Sequence, residues 1–490
     1  MSTRLSEETI GLLPAKVSHP GLDRSTVTPG IVHLGVGAFH RAHQAMYVDE
    51  CLSAGETDWG IVAASLRSPQ TRDALQPQDG LYTLAVREGD DETLRVIGSI
   101  LDLLVAPENP ETLIAAMTDP AIRIVSLTVT EKAYLRDANG HLDFNDLDIR
   151  HDLSDPRNPR TIYGFIIEAL TRRQAAGHAP FAILSCDNLP ANGKTLHRLL
   201  TEFAAQRSRE LAEFVAHDLS CPSSMVDRIV PATTEQDKSR ISGAIGMTDA
   251  WPVVTEPFSD WVIEDRFPRG RPDWERFGVT MVEDVAPFEI RKLRLLNGAH
   301  SAIAYLGQLL GLATVSDAMA STDVKQFIDS LWSELIPTLP QDKGLEPELY
   351  TAKLATRFSN TALKHLTAQI ANDGSQKLPQ RIIEAACERL SARTSADYLS
   401  FVVAAWMAAL QARSKEIAFS DPLDPQLKTL DFTAPDQVKT VKTIFEITGF
   451  AKTGQERENL IKLVASHLRT IQTIGPKQAL QKLTIKAAIQ

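Results

Sequence analysis

Apolar positions follow two rhythms along this chain, and the change comes near residue 285. Before it, short apolar runs recur between polar segments: Ile31–Leu34, Gly60–Leu66, Ile124–Val129 and Phe181–Cys186. Runs this short, rich in Ile and Val, predict buried strands of a parallel sheet. Helices are expected between them, one ending near Leu52 and others at 110–117, 161–175 and 195–217. Residues 81–100 alternate instead, about Glu88-Gly89-Asp90-Asp91, and predict a β-hairpin inserted into the βαβ array. Residues 1–29, with Pro14, Pro20 and Pro29, predict an irregular lead-in.

After the change the pattern is helical nearly throughout. Phe288–Gly307 (FEIRKLRLLNGAHSAIAYLG) runs without proline and is rich in helix formers. Further helices are expected at 323–337, 347–356, 361–371, 379–391, 396–412, 437–446 and 456–483. Asp373–Arg381 (DGSQKLPQR) reads as a turn leading into a helix that starts at Pro379. The expected fold class is therefore α/β. A domain of alternating strands and helices with insertions is expected over 1–285, and a mostly α-helical domain over 286–490.

The chemistry falls at the ends of the predicted strands. Ile31–Leu34 runs into Gly35-Val36-Gly37 and then a helix. In a dinucleotide fold the first glycine makes the turn and the second lets backbone approach the pyrophosphate. The usual third glycine position holds His40. The second strand ends in Ser65-Leu66-Arg67-Ser68, without the acid that holds a ribose diol. Arg67 is placed to meet a 2′-phosphate or adenine, or simply faces solvent. Glu131 and Asn188 follow other strand ends, where ligands meet an open α/β sheet, and Asp227 lies in a later polar cluster, Met225–Pro231. The structural alternative for Asp187 and Asn188 is a cap on the next helix.

Lys292, Asn297 and His300 share the stretch after 285. On an α-helix at about 100° per residue, His300 lies about 80° and Asn297 about 140° around the axis from Lys292. The three fan over one broad face that could surround a small polar substrate. A solvated lysine beside a locally bonded Asn and His is the plainer reading.

Composition narrows the classes. The chain has 490 residues, 43% hydrophobic, enough for two domains. With 51 Lys and Arg against 62 Asp and Glu, the net charge is −11. This argues against nucleic acid or an anionic membrane as partner. No apolar run of spanning length occurs, and the start lacks signal-peptide character, so a cytoplasmic location is expected. Cys51, Cys186, Cys221 and Cys387 are scattered, with no disulfide or zinc spacing.

Taken together, IVHLGVGAFHRAHQ, IVSLTVTEKAY, SCDNLPANG, MVDRIVPAT, EPFSDWVIED, KLRLLNGAH, RFSN at 357–360 and DGSQKLPQR resemble the long-chain mannitol dehydrogenase family over essentially the whole chain. The resemblance implies a Rossmann-type dinucleotide-binding domain with insertions over 1–285, a mostly α-helical substrate-binding and catalytic domain over 286–490, and zinc-independent NAD(P) chemistry, with NAD as cofactor and NADP open, and no metal. It implies Lys292 as catalytic base, Asn188 and Asn297 as donors to the carbonyl oxygen, and His300 at the reacting hydroxyl. Asp227 and Lys377 are the implied substrate contacts, and Glu289 and Glu131 the implied proton relay. His40 is then the family's own pattern, and Gly35, Gly37, Phe39 and Arg67 form the expected cofactor set. Within the family DGSQKLPQR resembles the hexuronate branch, which implies D-mannonate and D-fructuronate; a bidentate arginine is the natural carboxylate reader, and Arg381 or Arg357 is available for it, the alternative for either being a surface or inter-helix residue. Mannitol 2-dehydrogenase, acting on the polyol, is the close alternative. The expected partner is a small-molecule hexuronate or polyol, and the expected state a monomer or small homo-oligomer. A fold-keeping protein without turnover and a metal-dependent dehydrogenase are the competing classes.

Overall fold

The structure, a computed structural model, describes residues 3–362, 364–413, 419–432, 435–451 and 454–489, with side chains described through 483. The chain forms two units, Met1–Ala286 and Pro287–Gln490. In the first, β1 (Pro29–Leu34), β2 (Gly60–Ser65), β3 (Tyr82–Glu88), β4 (Asp91–Ile97), β5 (Ile100–Val105), β6 (Ile124–Leu127) and β7 (Ala182–Ser185) follow in order. The main sheet is parallel, ordered β5-β2-β1-β6-β7. Its strand order reverses between β1 and β6, the place where an open α/β sheet has its ligand crevice.

β1, β2, β6 and β7 are the four apolar runs, buried almost throughout because helices cover both faces. β5 is a strand the apolar pattern does not announce. Asp102 interrupts its run and is exposed, as an edge strand allows. β3 and β4 make the expected hairpin, closing at Glu88 opposite Asp91. Then come β8 (Ser224–Asp227), β9 (Val253–Thr255), β10 (Asp260–Glu264) and β11 (Thr280–Val282). They complete two small sheets, β4-β3-β9 and β11-β10-β8.

Two expected helices are each two. After β1 the chain forms α1 (Ala38–Ala42) and α2 (Gln44–Ser53), broken at His43, whose φ of −125° and ψ of −94° fit no helix. The 195–217 helix is Asn192–Arg207 followed by Arg209–Asp218. Ser208 is extended between them, and its hydroxyl accepts the Leu211 N–H as an N-cap.

The second unit is built around Gly298–Leu310 and Asp397–Gln411, which pack on each other. Residues 298–307 and 398–410 are all buried, as expected of interior helices. Gln455–Ile474 packs on Asp397–Gln411, and Pro476–Ile489 follows after Gly475, so the expected 456–483 helix is again two. In the 361–371 segment the helix is Thr367–Ala371, and Leu363 lies outside the described residues.

The stretch 288–307 is not one α-helix. Ala286–Arg291 is α-helical, Lys292–Asn297 is a π-helix, and Gly298–Leu310 is α-helical again. The Gly298 N–H donates to Leu293 O, the i→i+5 pattern of a π turn. The helix expected to start at Pro379 starts at Gly374, runs as π-helix over Pro379–Ile383 and continues as Glu384–Ser391. Inside an α-helix Pro379 would lack one hydrogen bond and crowd the carbonyl four residues back, and a wider turn relieves both.

Candidate active site

The first unit carries a cleft of about 910 Å³ at the carboxyl ends of β1, β2 and β6. Gly35, Val36, Gly37, Ser65, Arg67, Thr128 and Thr130 are among the residues that line it. Gly35 has a φ of +99°, and a Cβ there would fall 2.3 Å from Thr128 O, so only glycine fits the turn. Gly37 is different. Its Cβ would meet nothing nearer than Gly35 O at 3.8 Å. The space beside it is open, as backbone needs if a pyrophosphate is to lie against it.

His40 stands where the third glycine is usual. Its ring is fully buried and stacks on His33 of β1, with centroids 3.4 Å apart and planes at 13°. Two flat rings thus give the close helix–strand contact that glycine otherwise provides. His33 Nε2 lies 2.9 Å from Thr128 Oγ1, whose hydroxyl donates to Gly35 O at 2.7 Å. Its Nδ1 lies 2.8 Å from Ser126 Oγ. Burial pushes the His33 pKa down to about 3, so the ring that steadies the glycine turn is neutral. Phe39 is half-buried and stacks on His43 at 4.9 Å.

Arg67 is exposed at the end of β2 and lines the cleft, with no acid in Ser65–Ser68. Arg160 and His151 line the same cleft. Thr130, after β6, has a φ of +72°, a strained value for a β-branched residue. Glu131 follows, exposed, as the first residue of a short 3-10 turn.

Asp187 does not cap the helix after β7. That helix has Ala191 at its N-cap, without a side-chain bond. Asp187 Oδ1 accepts the Thr130 N–H, and Oδ2 accepts the Val129 N–H and the Tyr134 hydroxyl. Asn192 does the stapling nearby, donating to the main-chain oxygens of Ser185, Asp187 and Ser224. Asn188 is left exposed at the end of β7, and Asp227 ends β8 nine-tenths buried.

In the helical unit the π turn changes the geometry of the Lys-Asn-His set. The hydrogen-bonded pair i and i+4 of an α-helix lies about 40° apart around the axis. In a π turn the pair i and i+5 takes that place. Asn297 therefore comes round to the face of Lys292, and His300, three α-steps on, stays there. The three fall within about 60° of one another, where a plain α-helix spreads them over about 140°.

Lys292 is only 9% exposed, and Asn297 is half-buried. Glu289, half-buried, lies one turn before Lys292. His300 is buried, with its ring 4.6 Å from Phe358 and edge-on to His365 at 5.2 Å. Burial first, then His365 and the charges of Arg357 and Arg381, hold His300 well below the usual histidine range. His365 is lowered by burial and by Arg357. Arg381 Nη1 donates to Ser301 Oγ at 3.1 Å and to Asn297 O at 3.4 Å. Lys377 donates to Asn372 O at 2.8 Å, and burial and Arg381 lower its pKa. The structure thus gathers Lys292, Asn297, His300, Arg357, Lys377 and Arg381 in one unit. The sequence reading missed His365 and Phe358, which nothing but the fold brings to His300.

Among the described residues no three His, Cys, Asp or Glu converge as a metal site. No helix among them is long and apolar enough to cross a membrane.

Comparison with known proteins matches residues 29–276 to the mannitol dehydrogenase Rossmann domain and 284–472 to the mannitol dehydrogenase C-terminal domain. A mannitol 2-dehydrogenase of Pyrenophora tritici-repentis is 41% identical, over 88% of this chain and 78% of that one. A D-mannonate oxidoreductase of Escherichia coli is 41% identical, over 84% of this chain and 86% of its own. The mannitol 2-dehydrogenase of Pseudomonas fluorescens, solved as a ternary complex with NAD and D-mannitol, is 35% identical with a TM-score of 0.79, covering 99% of this chain and 100% of that one. With its glycine turn, parallel sheet and helical second unit, the chain belongs to the mannitol dehydrogenase family and is an NAD(P)-dependent oxidoreductase.

Proposed function

We propose that the chain interconverts a secondary alcohol and a ketone on a polyol, with D-mannitol and D-fructose as the first pair, and that Lys292 is the acid/base. The carrying observation is the buried Lys292 at the head of a π turn that turns Asn297 and His300 to its face. The names of two of the similar proteins, mannitol 2-dehydrogenases, support the substrate class.

A bound nicotinamide supplies the hydride acceptor for oxidation and the donor for reduction. In oxidation Lys292, neutral, takes the hydroxyl proton as the C–H pair leaves the same carbon. In reduction protonated Lys292 returns it. Asn297 and Asn188 donate to the oxygen as negative charge grows there, a contribution of about 3 kcal/mol per donor. His300, kept neutral, orients the oxygen without competing for the proton. Glu289 and Glu131 pass the proton on, and Asp227 and Lys377 hold hydroxyls remote from the reacting carbon. Gly35, Gly37, Phe39 and Arg67 hold the cofactor.

A second reading is a sugar acid, D-mannonate to D-fructuronate. It is favoured by the basic side chains Arg357 and Arg381 near His300, with Lys377 near Arg381, and by the D-mannonate oxidoreductase relative. It comes second because Arg381 and Lys377 already give hydrogen bonds to the protein. Initial rates of NADH and NADPH oxidation with D-fructose and with D-fructuronate separate the two. A kcat/KM at least 100-fold higher for fructose supports the polyol. The same margin for fructuronate puts the sugar acid in its place.

A further inference from the structure

The π turn at Lys292–Asn297 has no cause in its own sequence. KLRLLN is made of strong α-helix formers, apart from Asn297, and has neither proline nor glycine. An α register would cost nothing locally, so the wider turn must be imposed from outside. Two side chains from elsewhere donate to main-chain oxygens of the turn. Trp332 Nε1 donates to Leu295 O at 2.9 Å, a buried bond. Arg381 Nη1 reaches Asn297 O at 3.4 Å while anchored on Ser301 Oγ at 3.1 Å. A Cβ at Gly298, the next residue, would stand 3.1 Å from Arg381 O, so this glycine lets the two helices approach at the turn. Arg381 itself sits in the second π stretch, Pro379–Ile383. At the far end the buried Arg294 guanidinium bridges both carboxylate oxygens of Glu388, at 2.6 and 2.7 Å, and ties the same two helices.

We propose that Trp332 and Arg381 are positioning residues that hold the π register and thereby stack Asn297 and His300 over Lys292. The proposal rests on the acid/base role of Lys292 above and extends it to two groups that act through the turn. Without them the segment relaxes to an α-helix. Asn297 then swings by about 100° around the axis away from Lys292, and the oxygen loses a donor.

Trp332→Phe removes the indole N–H and keeps the ring, and Arg381→Met removes the guanidinium. Each is expected to lower kcat for D-mannitol oxidation and D-fructose reduction by about 10- to 100-fold, because small misplacements of a reacting group cost that much. KM and the NADH dissociation constant are expected within threefold of the parent, and Arg381→Lys is expected to recover part of the loss. Crystal structures of Trp332→Phe and Arg381→Met are expected to show Lys292–Asn297 as α-helix. Retention of the π turn in both crystals overturns the proposal whatever the activities. A loss confined to KM for D-fructuronate, with D-fructose unaffected, also overturns it and makes Arg381 a carboxylate reader. Lys292→Ala runs beside them. Full turnover in that variant removes the acid/base reading and leaves the register to be read from the crystals. Loss of turnover there, with parent-like kcat in both other variants, removes the positioning role alone.

Discussion

The carboxylate of Asp187 accepts the Thr130 main-chain N–H at 2.8 Å, and Thr130 is one of the few residues other than glycine held at positive φ. A conformation of this kind costs about 1–3 kcal/mol and persists only when its surroundings impose it. Here the loop after β6 is bound from β7, through the bonds of Asp187 to Thr130, Val129 and Tyr134. The loop lines the dinucleotide cleft, so strain and function fall together.

Asp187→Ala is therefore expected to weaken NADH binding by about tenfold, since the freed loop can leave its strained shape. Hydrogen bonds to a charged group contribute about 1.5–3 kcal/mol each, so thermal stability should fall as well. Fluorescence titration with NADH and a melting curve measure the two effects. An unchanged dissociation constant would detach this loop from cofactor binding.

His33 gives a pH dependence of definite sign. Its folded-state pKa, pushed down to about 3 by burial, lies below the unfolded value near 6.5. A histidine lowered in this way adds stability above pH 6.5, and loses it as the pH falls from there toward 3. At pH 5 this group alone should cost about 2 kcal/mol relative to pH 7. Urea denaturation at pH 7, 6 and 5 measures the slope, and His33→Gln is expected to reduce it by that share, while His40 and His300, also lowered by burial, keep theirs. A parallel slope in the variant would place the acid sensitivity elsewhere.

Much of this fold is legible from the amino-acid order, and the exceptions have physical reasons. β1, β2, β6 and β7 are readable because strands covered on both faces must be continuously apolar. β5 escapes because an edge strand tolerates Asp102. Lys292, Asn297 and His300 can be picked out by type and spacing, but not their stacking. α and π turns draw on the same residues, and the side chains that bond to this turn, Trp332 and Arg381, are distant in sequence. His365 comes beside His300 only through the fold of the helical unit.

Cofactor choice should follow from the end of β2. No acid stands in Ser65–Ser68 to hold a ribose diol, and Arg67 is exposed in the cleft. The expected preference for NAD over NADP, as a ratio of kcat/KM, is below a thousandfold. Arg67→Ala is expected to lower kcat/KM with NADP by about tenfold and to change it little with NAD, since removing a charge-assisted contact to phosphate acts on the phosphorylated cofactor alone. Equal effects on both would show Arg67 stacking on adenine.

Lys292→Ala is the sharpest test of the chemistry. General acid–base groups contribute about 10²–10⁴-fold, and the buried Lys292 should lie in the middle of that range. A loss of about 10³-fold in kcat is expected, with the NADH dissociation constant nearly retained. Oxidation needs the neutral amine and reduction the ammonium. The parent rate of polyol oxidation should therefore rise with pH and that of ketose reduction fall, around one shared ionisation. Both limbs should flatten in the variant, because the group that titrates is gone. A variant that keeps both limbs, at a rate within tenfold of the parent with chemistry rate-limiting, would assign the proton to another group, and Glu289, one turn before Lys292, would be the next to replace.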